Sequence, residues 1–329
     1  MVIEKSDFTV VLYSSKHFEK WNEFVDQGKN ATFLFHRNFL EYHLDRFEDF
    51  SLMVFKKQKL VAVLPANKIG NELFSHQGLS YGGFVFLPTI KFREVVGVVS
   101  SVLDYLKDNS IGFLEITLPP FLYHSFLSNE LEYLMHILSA TLTNRQQLSV
   151  IDYSSQLKID RNRLEGYKKG VKNNLIVKEE SAFDSFWNQL LIVNLEKKFH
   201  TRPTHSLEEI SRLHTMFPKN IRQFNMYYKD EIVAGTTIFE TEHVAHTQYI
   251  SGSKKFNHLG GLDYLQCHLI NEVFSNKKYF DFGSSHPSND KHVNSGLHFW
   301  KEGFGARSVV QNTYKIEIKG NDGLNNLFV

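Results

Sequence analysis

One cysteine, Cys267, stands in a chain of 329 residues. No internal disulfide can form, and a cysteine-based zinc site is excluded. A reducing, cytoplasmic setting is the expectation. Proline is scarce, at 7 residues, so proline-rich linkers and extended recognition tracts are absent. Charge of one sign is also missing. Lys and Arg total 37 against 36 for Asp and Glu, which excludes a basic nucleic-acid coat and an acidic tail. The longest apolar stretch, within Val95–Leu106, is broken by Gly, Ser and Asp, and is too short to span a bilayer. The first residues carry early acidic groups and no apolar core, so no secretory signal is expected. Coiled-coil heptads and low-complexity tracts do not occur.

What is abundant is phenylalanine, at 29, with aromatics at 14%. That argues for filled cores or an aromatic-lined cleft, and against disorder. At ~150 residues per domain the length suggests two domains.

The first half reads as a strand at Phe8–Leu12 and helices near Phe18–Val25 and Arg37–Phe47. A hairpin follows at Leu52–Phe55 and Leu60–Leu64, then a strand at Gly83–Leu87. Phe92–Leu106 is an amphipathic helix and Gly112–Leu118 a strand stopped by Pro119-Pro120. Phe121–Thr141 reads as helical, with Leu122, Phe126, Leu127, Leu131, Leu134 and Leu138 as core candidates, and Leu148–Tyr153 as the last strand. The second half repeats this order. A basic helix over Arg161–Asn173 and a strand at Leu175–Val177 precede a long helix through Phe183–Leu195. Next comes a helix from Ser206 to Met216 that opens on a Ser206/Glu209 capping box. Strands follow at Gln223–Tyr228, Ile232–Phe239 and His243–Ser251. A helix opens at Gly260-Gly261, then come a strand at Tyr279–Phe282, a helix at Asn294–Glu302 and a closing strand at Arg307–Ile318. A duplicated α/β unit is the simplest reading, with domains 1–155 and 156–329.

Three stretches could carry chemistry. The richest, Tyr279 to Gly305, leaves a strand end and gathers Asp281, Ser284, Ser285, His286, Asn294 and Lys301. Loops at strand ends are where α/β folds place sites. The plainer reading makes Asp281 and the serines turn caps and Lys301 a solvated helix end. The second, Phe74–Phe84, holds His76, Tyr81 and a set of glycines. Glycine lets backbone approach a ligand closely, and a wide structural turn is the competing reading. In the third, Gly252–Asp263, a strand, a loop with two lysines and Gly260-Gly261 at a helix start could cradle phosphate. Sixteen histidines show no familiar metal spacing, so no metal is expected. No GxSxG or Cys/His pairing supports a hydrolase. Cys267, on a helix beside leucines, reads as packing.

The tandem order of elements resembles two copies of the GNAT acyltransferase fold. The combination is similar to FemAB-like acyltransferases and the BioF2-like acetyltransferase group. The carrying residues are Ser75–Gly83, then Tyr279-Phe280-Asp281-Phe282-Gly283, then Asn294-x-Gly296-Leu297, Trp300-Lys301-Glu302-x-Phe304-Gly305 and Tyr314. This resemblance implies an α/β (α+β) fold of duplicated GNAT-like domains, each a mixed central sheet flanked by helices. The first domain would serve the acceptor and the second the donor and the chemistry. It implies acyl transfer to an amine, with acyl-CoA (acetyl-CoA) as donor, and an acceptor that is a small molecule or a cell-envelope precursor. An aminoacyl-tRNA donor is the alternative, and a non-catalytic binding module on the same fold is the rival from another class. Lys301, Asp281, His286 and Tyr249 are the implied catalytic candidates. His246, Ser251, Gly260 and Gly261 would hold the donor, and His76, Tyr81, Ser284, Ser285 and Asn294 the acceptor.

Overall fold

The computed structural model describes residues 7–286, 292–319, 324, 327 and 328. The chain divides into two compact units, Met1–Gln146 with Val310–Val329, and Gln147–Val309.

The first unit begins with β1 (Phe8–Leu12), α1 (Phe18–Asp26) and α2 (Arg37–Leu40). Strands β2 (Glu48–Asp49), β3 (Leu52–Lys56), β4 (Lys59–Leu64), β5 (Asn67–Ile69), β6 (Glu72–Ser75) and β7 (Val85–Phe86) follow. Then come α3 (Phe92–Asp108), β8 (Phe113–Thr117), α4 (Glu130–Ile137) and the long β9 (Thr141–Asp152), whose last residues enter the second unit. β6 and β8 run parallel and are joined through α3. The inward face of α3, including Val95, Val99, Val102 and Leu106, is buried on the sheet with Leu114 and Ile116.

The second unit holds α5 (Arg161–Lys172), β10 (Ile176–Glu180), α6 (Asp184–Phe186) and α7 (Ile192–Phe199), the last two separated by a π-helical turn at Trp187–Leu191. After α8 (Leu207–Met216) come β11 (Ile221–Tyr228), β12 (Glu231–Glu240) and β13 (Val244–Gly252). They are followed by α9 (Gly261–His268), β14 (Tyr279–Ser284) and α10 (Ser295–Glu302), and the chain leaves this unit along β15 (Arg307–Glu317), whose residues from Val310 onward belong to the first. Strands β10 to β13 form an antiparallel run. β13 and β14 are parallel and joined through α9, the same arrangement as β6-α3-β8 in the first unit. In the first unit β1, β3, β4 and β7 form a four-stranded antiparallel sheet, and β15, β8, β6, β5 and β2 lie side by side in a mixed one; helices flank mixed strands in both units, and the chain repeats an α/β plan.

Several boundaries differ from the sequence expectation. β15 pairs with β8 through Thr313–Glu317, so the closing strand belongs to the first unit, where Ile316 and Leu324 are buried in the core. The expected helix from Phe121 forms only as α4. A 3-10 turn occupies Phe121–Tyr123, and Phe126 and Leu127 are exposed, Leu127 by 95%. The polar run His124-Ser125 and Ser128-Asn129 supplies no apolar period to continue a helix across it. The helix expected to reach Phe47 tightens to a 3-10 turn at Glu41–His43, and Leu148–Tyr153 is the end of the twelve-residue β9. Strands β5 and β6 went unrecognised because Asn67–Ser75 mixes polar and apolar residues around a Gly70-Asn71 turn.

Candidate active site

The site grows from one register. β13 and β14 pair only at Val244–Tyr279, Ala245–Phe280 and His246–Asp281. Beyond this the ladder stops. β13 continues to Gly252 along β12, and β14 continues to Ser284 along β9. A bulge at Gln248, where Thr237 and Ile238 pair with Tyr249 and Thr247, helps turn β13 away.

At the last paired position, His246 Nδ1 lies 3.0 Å from Asp281 Oδ2. The other oxygen, Oδ1, accepts the Gly283 N–H at 2.7 Å, and the Asp281 carbonyl accepts the Thr247 hydroxyl at 3.1 Å. Asp281 is 1% exposed, whereas the His246 side chain is 20% exposed. Gly283 takes φ +68°, and a Cβ there would stand 3.1 Å from His246 Cε1. Lys301, near the end of α10, is buried. Its Nζ donates to the carbonyls of Gly283 at 3.0 Å and Ser284 at 2.7 Å. Burial pulls its pKa down to about 8, against the pull of the Asp281 charge.

The loop after β14 is closely tied. Ser284 Oγ accepts the His286 N–H at 3.0 Å, and His286 Nε2 accepts the Gln147 N–H at 3.3 Å. The Ser285 carbonyl accepts the Asn294 N–H at 2.9 Å, and its buried Oγ has no partner among the described residues. Asn294 Oδ1 caps α10 through the Leu297 N–H at 3.0 Å. Residues 287–291 of this motif lie outside the described residues.

Where the ladder has ended, a cavity of about 850 Å³ opens within the second unit. Ile250, Ser251 and Gly252 of β13 form one side and Asn294, Gly296, Leu297 and Trp300 another. Gly260, Leu262 and Asp263 bring the start of α9 to it, while α5 and α7 contribute Arg163, Lys169, Asn194 and Lys198. Lys254 also lines it. Asn194 Nδ2 donates to Ser251 Oγ at 2.8 Å and to the Gly252 carbonyl at 2.9 Å, pinning the strand end to α7. Arg163 meets Asp263 at 2.8 Å, and Trp300 Nε1 donates to the same oxygen at 2.9 Å, so this acidic group is neutralised locally. Helix α5 sits on α9 through small residues. A Cβ on Gly260 would come 2.2 Å from the Gly166 carbonyl, and one on Gly170 would come 2.5 Å from the Tyr264 ring.

Among the sequence candidates, Ser251, Gly260 and Asn294 line this cavity, and Gly261 opens the helix beside it. His246, Asp281, Ser284, Ser285, His286 and Lys301 gather at the ladder end instead. Tyr249 lies in neither group. Its hydroxyl is 2.6 Å from His205 Nδ1, its ring stands edge-on to Trp187, and burial pushes its pKa up to about 12. His76 and Tyr81 belong to the core of the first unit. His76 stacks parallel on His43 at 5.2 Å, and burial first, then His43, lowers its pKa to about 3. Tyr81 donates to Thr32 Oγ1 at 3.1 Å. The neighbouring glycines serve close packing, since a Cβ on Gly78 would strike His43 and one on Gly82 the Ser75 carbonyl. Asn194 and Trp300 were not anticipated as cavity residues, whereas Arg163 lies in the basic run Arg161–Lys172, which reads in sequence either as a solvated helix face or as one wall of a groove for an anionic substrate. The signal available for Asn194 was a polar side chain between Leu191 and Leu195 on an otherwise apolar helix face. Among the described residues no His, Cys, Asp or Glu cluster could hold a metal, and no helix is long and apolar enough to cross a membrane.

No protein-family model matches the chain, and no curated protein matches it by sequence. Solved structures do match in fold. FemX superposes with a TM-score of 0.68 at 10% identity, covering 97% of this chain and 99% of its own. L-PGS from Bacillus licheniformis gives 0.58 at 13% identity, covering 93% and 92%. A tandem GNAT protein from the clavulanic acid biosynthesis pathway gives 0.50 at 10%, covering 95% and 99%. The parallel strands that part after His246–Asp281, set in a unit whose plan the chain uses twice, are thus part of a FemAB-like, GNAT-like acyltransferase fold.

Proposed function

We propose that the protein is an acyltransferase that moves an acyl group from acyl-CoA, acetyl-CoA being the simplest, to an amine acceptor. The observation that carries this reading is the cavity at the parted strands. It offers a strand edge, a helix start and basic side chains in one place. The N–H groups of Gly261, Leu262 and Asp263 open α9 without a side-chain cap, and Arg163, Lys169, Lys198 and Lys254 stand around the same space. Uncapped helix N–H groups with nearby cations suit the phosphates of such a donor. From Gly252 back to His246 the strand spans about 20 Å at ~3.3 Å per residue. A donor whose phosphates sit near α9 would lay its long amide-bearing arm along β13 and deliver its acyl group to the ladder end. There an acceptor nitrogen attacks the thioester carbonyl. The new C–N bond forms, the C–S bond breaks, and the thiolate leaves with a proton. Backbone N–H groups of β13 would face the tetrahedral oxyanion, each worth roughly 3–4 kcal/mol. The acceptor is proposed to be a small molecule or a cell-envelope precursor bearing an amine.

An aminoacyl-tRNA is the second donor. It is favoured by the exposed Arg161, Lys168, Lys169 and Lys172 on α5, of which Lys169 lines the cavity. Melting temperature with coenzyme A, acetyl-CoA and longer acyl-CoA forms tests the first reading. A ligand at 100 times its Kd adds about 2.7 kcal/mol, a readily measured shift. A shift with acetyl-CoA supports this donor. No shift at millimolar donor, together with salt-sensitive binding of charged tRNA, would transfer the assignment to the second.

A further inference from the structure

We infer that His246 is the proton acceptor of the transfer, with Asp281 as the residue that fixes its tautomer. This rests on the acyl-transfer reading and deepens it at the same site.

Both Asp281 carboxylate oxygens lie on hydrogen-bond donors. Oδ1 receives the Gly283 N–H at 2.7 Å, and Oδ2 lies 3.0 Å from His246 Nδ1. An ionised carboxylate is acceptor-only. The imidazole must therefore carry its proton on Nδ1, and in the neutral ring this leaves the lone pair on Nε2. The ring is partly exposed while its carboxylate partner is buried, so the lone-pair edge is the accessible end of the dyad. Gly283 has no side chain to press on the ring between its two nitrogens: a Cβ there would stand 3.1 Å from Cε1 and 3.9 Å from Nε2.

The position of the pair strengthens the assignment. His246 and Asp281 are the last rung of the β13–β14 ladder, so the base stands where the two strands begin to part. Asp281 is too enclosed to meet an amine itself. Lys301 is enclosed too, and its ammonium faces the Gly283 and Ser284 carbonyls. It acts as a positioning residue for the turn that presents Gly283 to the dyad. Ser284 and His286 likewise engage one another and the Gln147 backbone. The acceptor amine would lose its proton to His246 Nε2 as the C–N bond forms, and the departing thiolate would take that proton back. The base is thereby regenerated with no other reactant.

Two measurements on the full chain decide this. The first needs no donor. Diethyl pyrocarbonate acylates neutral imidazole nitrogen, and mass spectrometry reads each histidine separately. His246 should label at least as fast as the exposed His136 and His258, despite its lower exposure, and Asp281→Asn should slow it below both. Labelling of His246 slower than both surface histidines in the wild type, or indifferent to Asp281→Asn, overturns the dyad. The second is thiol release from acetyl-CoA with a panel of primary amines. His246→Gln should lower the rate by about 10²–10⁴-fold, the usual contribution of a general base. The melting shift caused by acetyl-CoA should persist in that variant. Activity within threefold of wild type would overturn the role. If the wild type shows no acetyl-CoA shift, the donor reading fails separately, and the labelling result alone then decides the dyad.

Discussion

Lys301, one of the implied catalytic candidates, lies near the end of α10 and is buried. Two of its N–H groups face carbonyls, and it is enclosed by the turn after β14. Enclosure lowers its pKa to about 8 from the 10.5 of a free side chain. The unfolded chain therefore binds more protons than the folded one between these values, and stability rises with pH across that window. Below about pH 8 the side chain is protonated in both states, and the cost of enclosing its charge is fully present. Against a Lys301→Met variant, the wild type should gain stability as pH is raised from 8 toward 10.5, read by denaturant melts at each pH. A flat difference would contradict a buried titrating ammonium. Gly283 supplies a second residue-scale expectation. With φ +68°, Gly283→Ala places an L-residue in the left-handed region at a cost of roughly 1–2 kcal/mol. Its methyl would also press on the His246 ring, so the rate should fall by more than that stability loss implies. Kinetics and melts on one preparation check both.

Among the elements, α5 and α9 depend on close approach. Gly260→Ala would drive a Cβ against the Gly166 carbonyl, a backbone atom that cannot rotate away, and Gly260 itself has φ +77°. A loss of about 1–3 kcal/mol is expected, with a weakened acetyl-CoA shift because the start of α9 is displaced. Ser206→Ala, outside the cavity lining, should cost about 1 kcal/mol through its capping box and leave donor binding unchanged. The capping box was readable in the sequence because its two partners are three residues apart. So was α3, whose valines recur at helical spacing. Local signals failed where tertiary pairing decides the outcome. β9 is twelve residues long as a strand placed between β14 and β15, not because Thr141–Gln147 carries an apolar alternation. The ladder end was invisible for the same reason. Asp281 stood out as a polar residue closing an apolar strand, but its partner His246 lies 35 positions away. No spacing rule joins them. His76 and Tyr81 drew attention through the glycines around them, and two of those glycines, Gly78 and Gly82, give room to His43 and the Ser75 backbone.

For the molecule as a whole, the repeated plan was legible from the order of elements, and the division of the chain was not. A boundary near residue 155 looks natural in sequence, yet Val310–Val329 belongs to the first unit. β15 supplies Ile316 to that core, and Phe328 packs edge-on to Phe92. A fragment of residues 1–155 should consequently fail to fold on its own, and adding residues 310–329 as a separate peptide should restore cooperative melting. Circular dichroism on the fragment with and without the peptide is the check. Independent folding of 1–155 would show that β15 is dispensable.

The short β13–β14 ladder has a consequence for backbone exchange. Amide protons at Val244–His246 lie within a paired stretch, whereas past His246 no strand among the described residues pairs with that edge of β13. Two rates of deuterium uptake should therefore divide a single strand, slow before the dyad and faster after it, with the break at Thr247. An occupant that supplies amides of its own along that edge would complete the sheet and erase the step. One that engages only the start of α9 would leave the step in place.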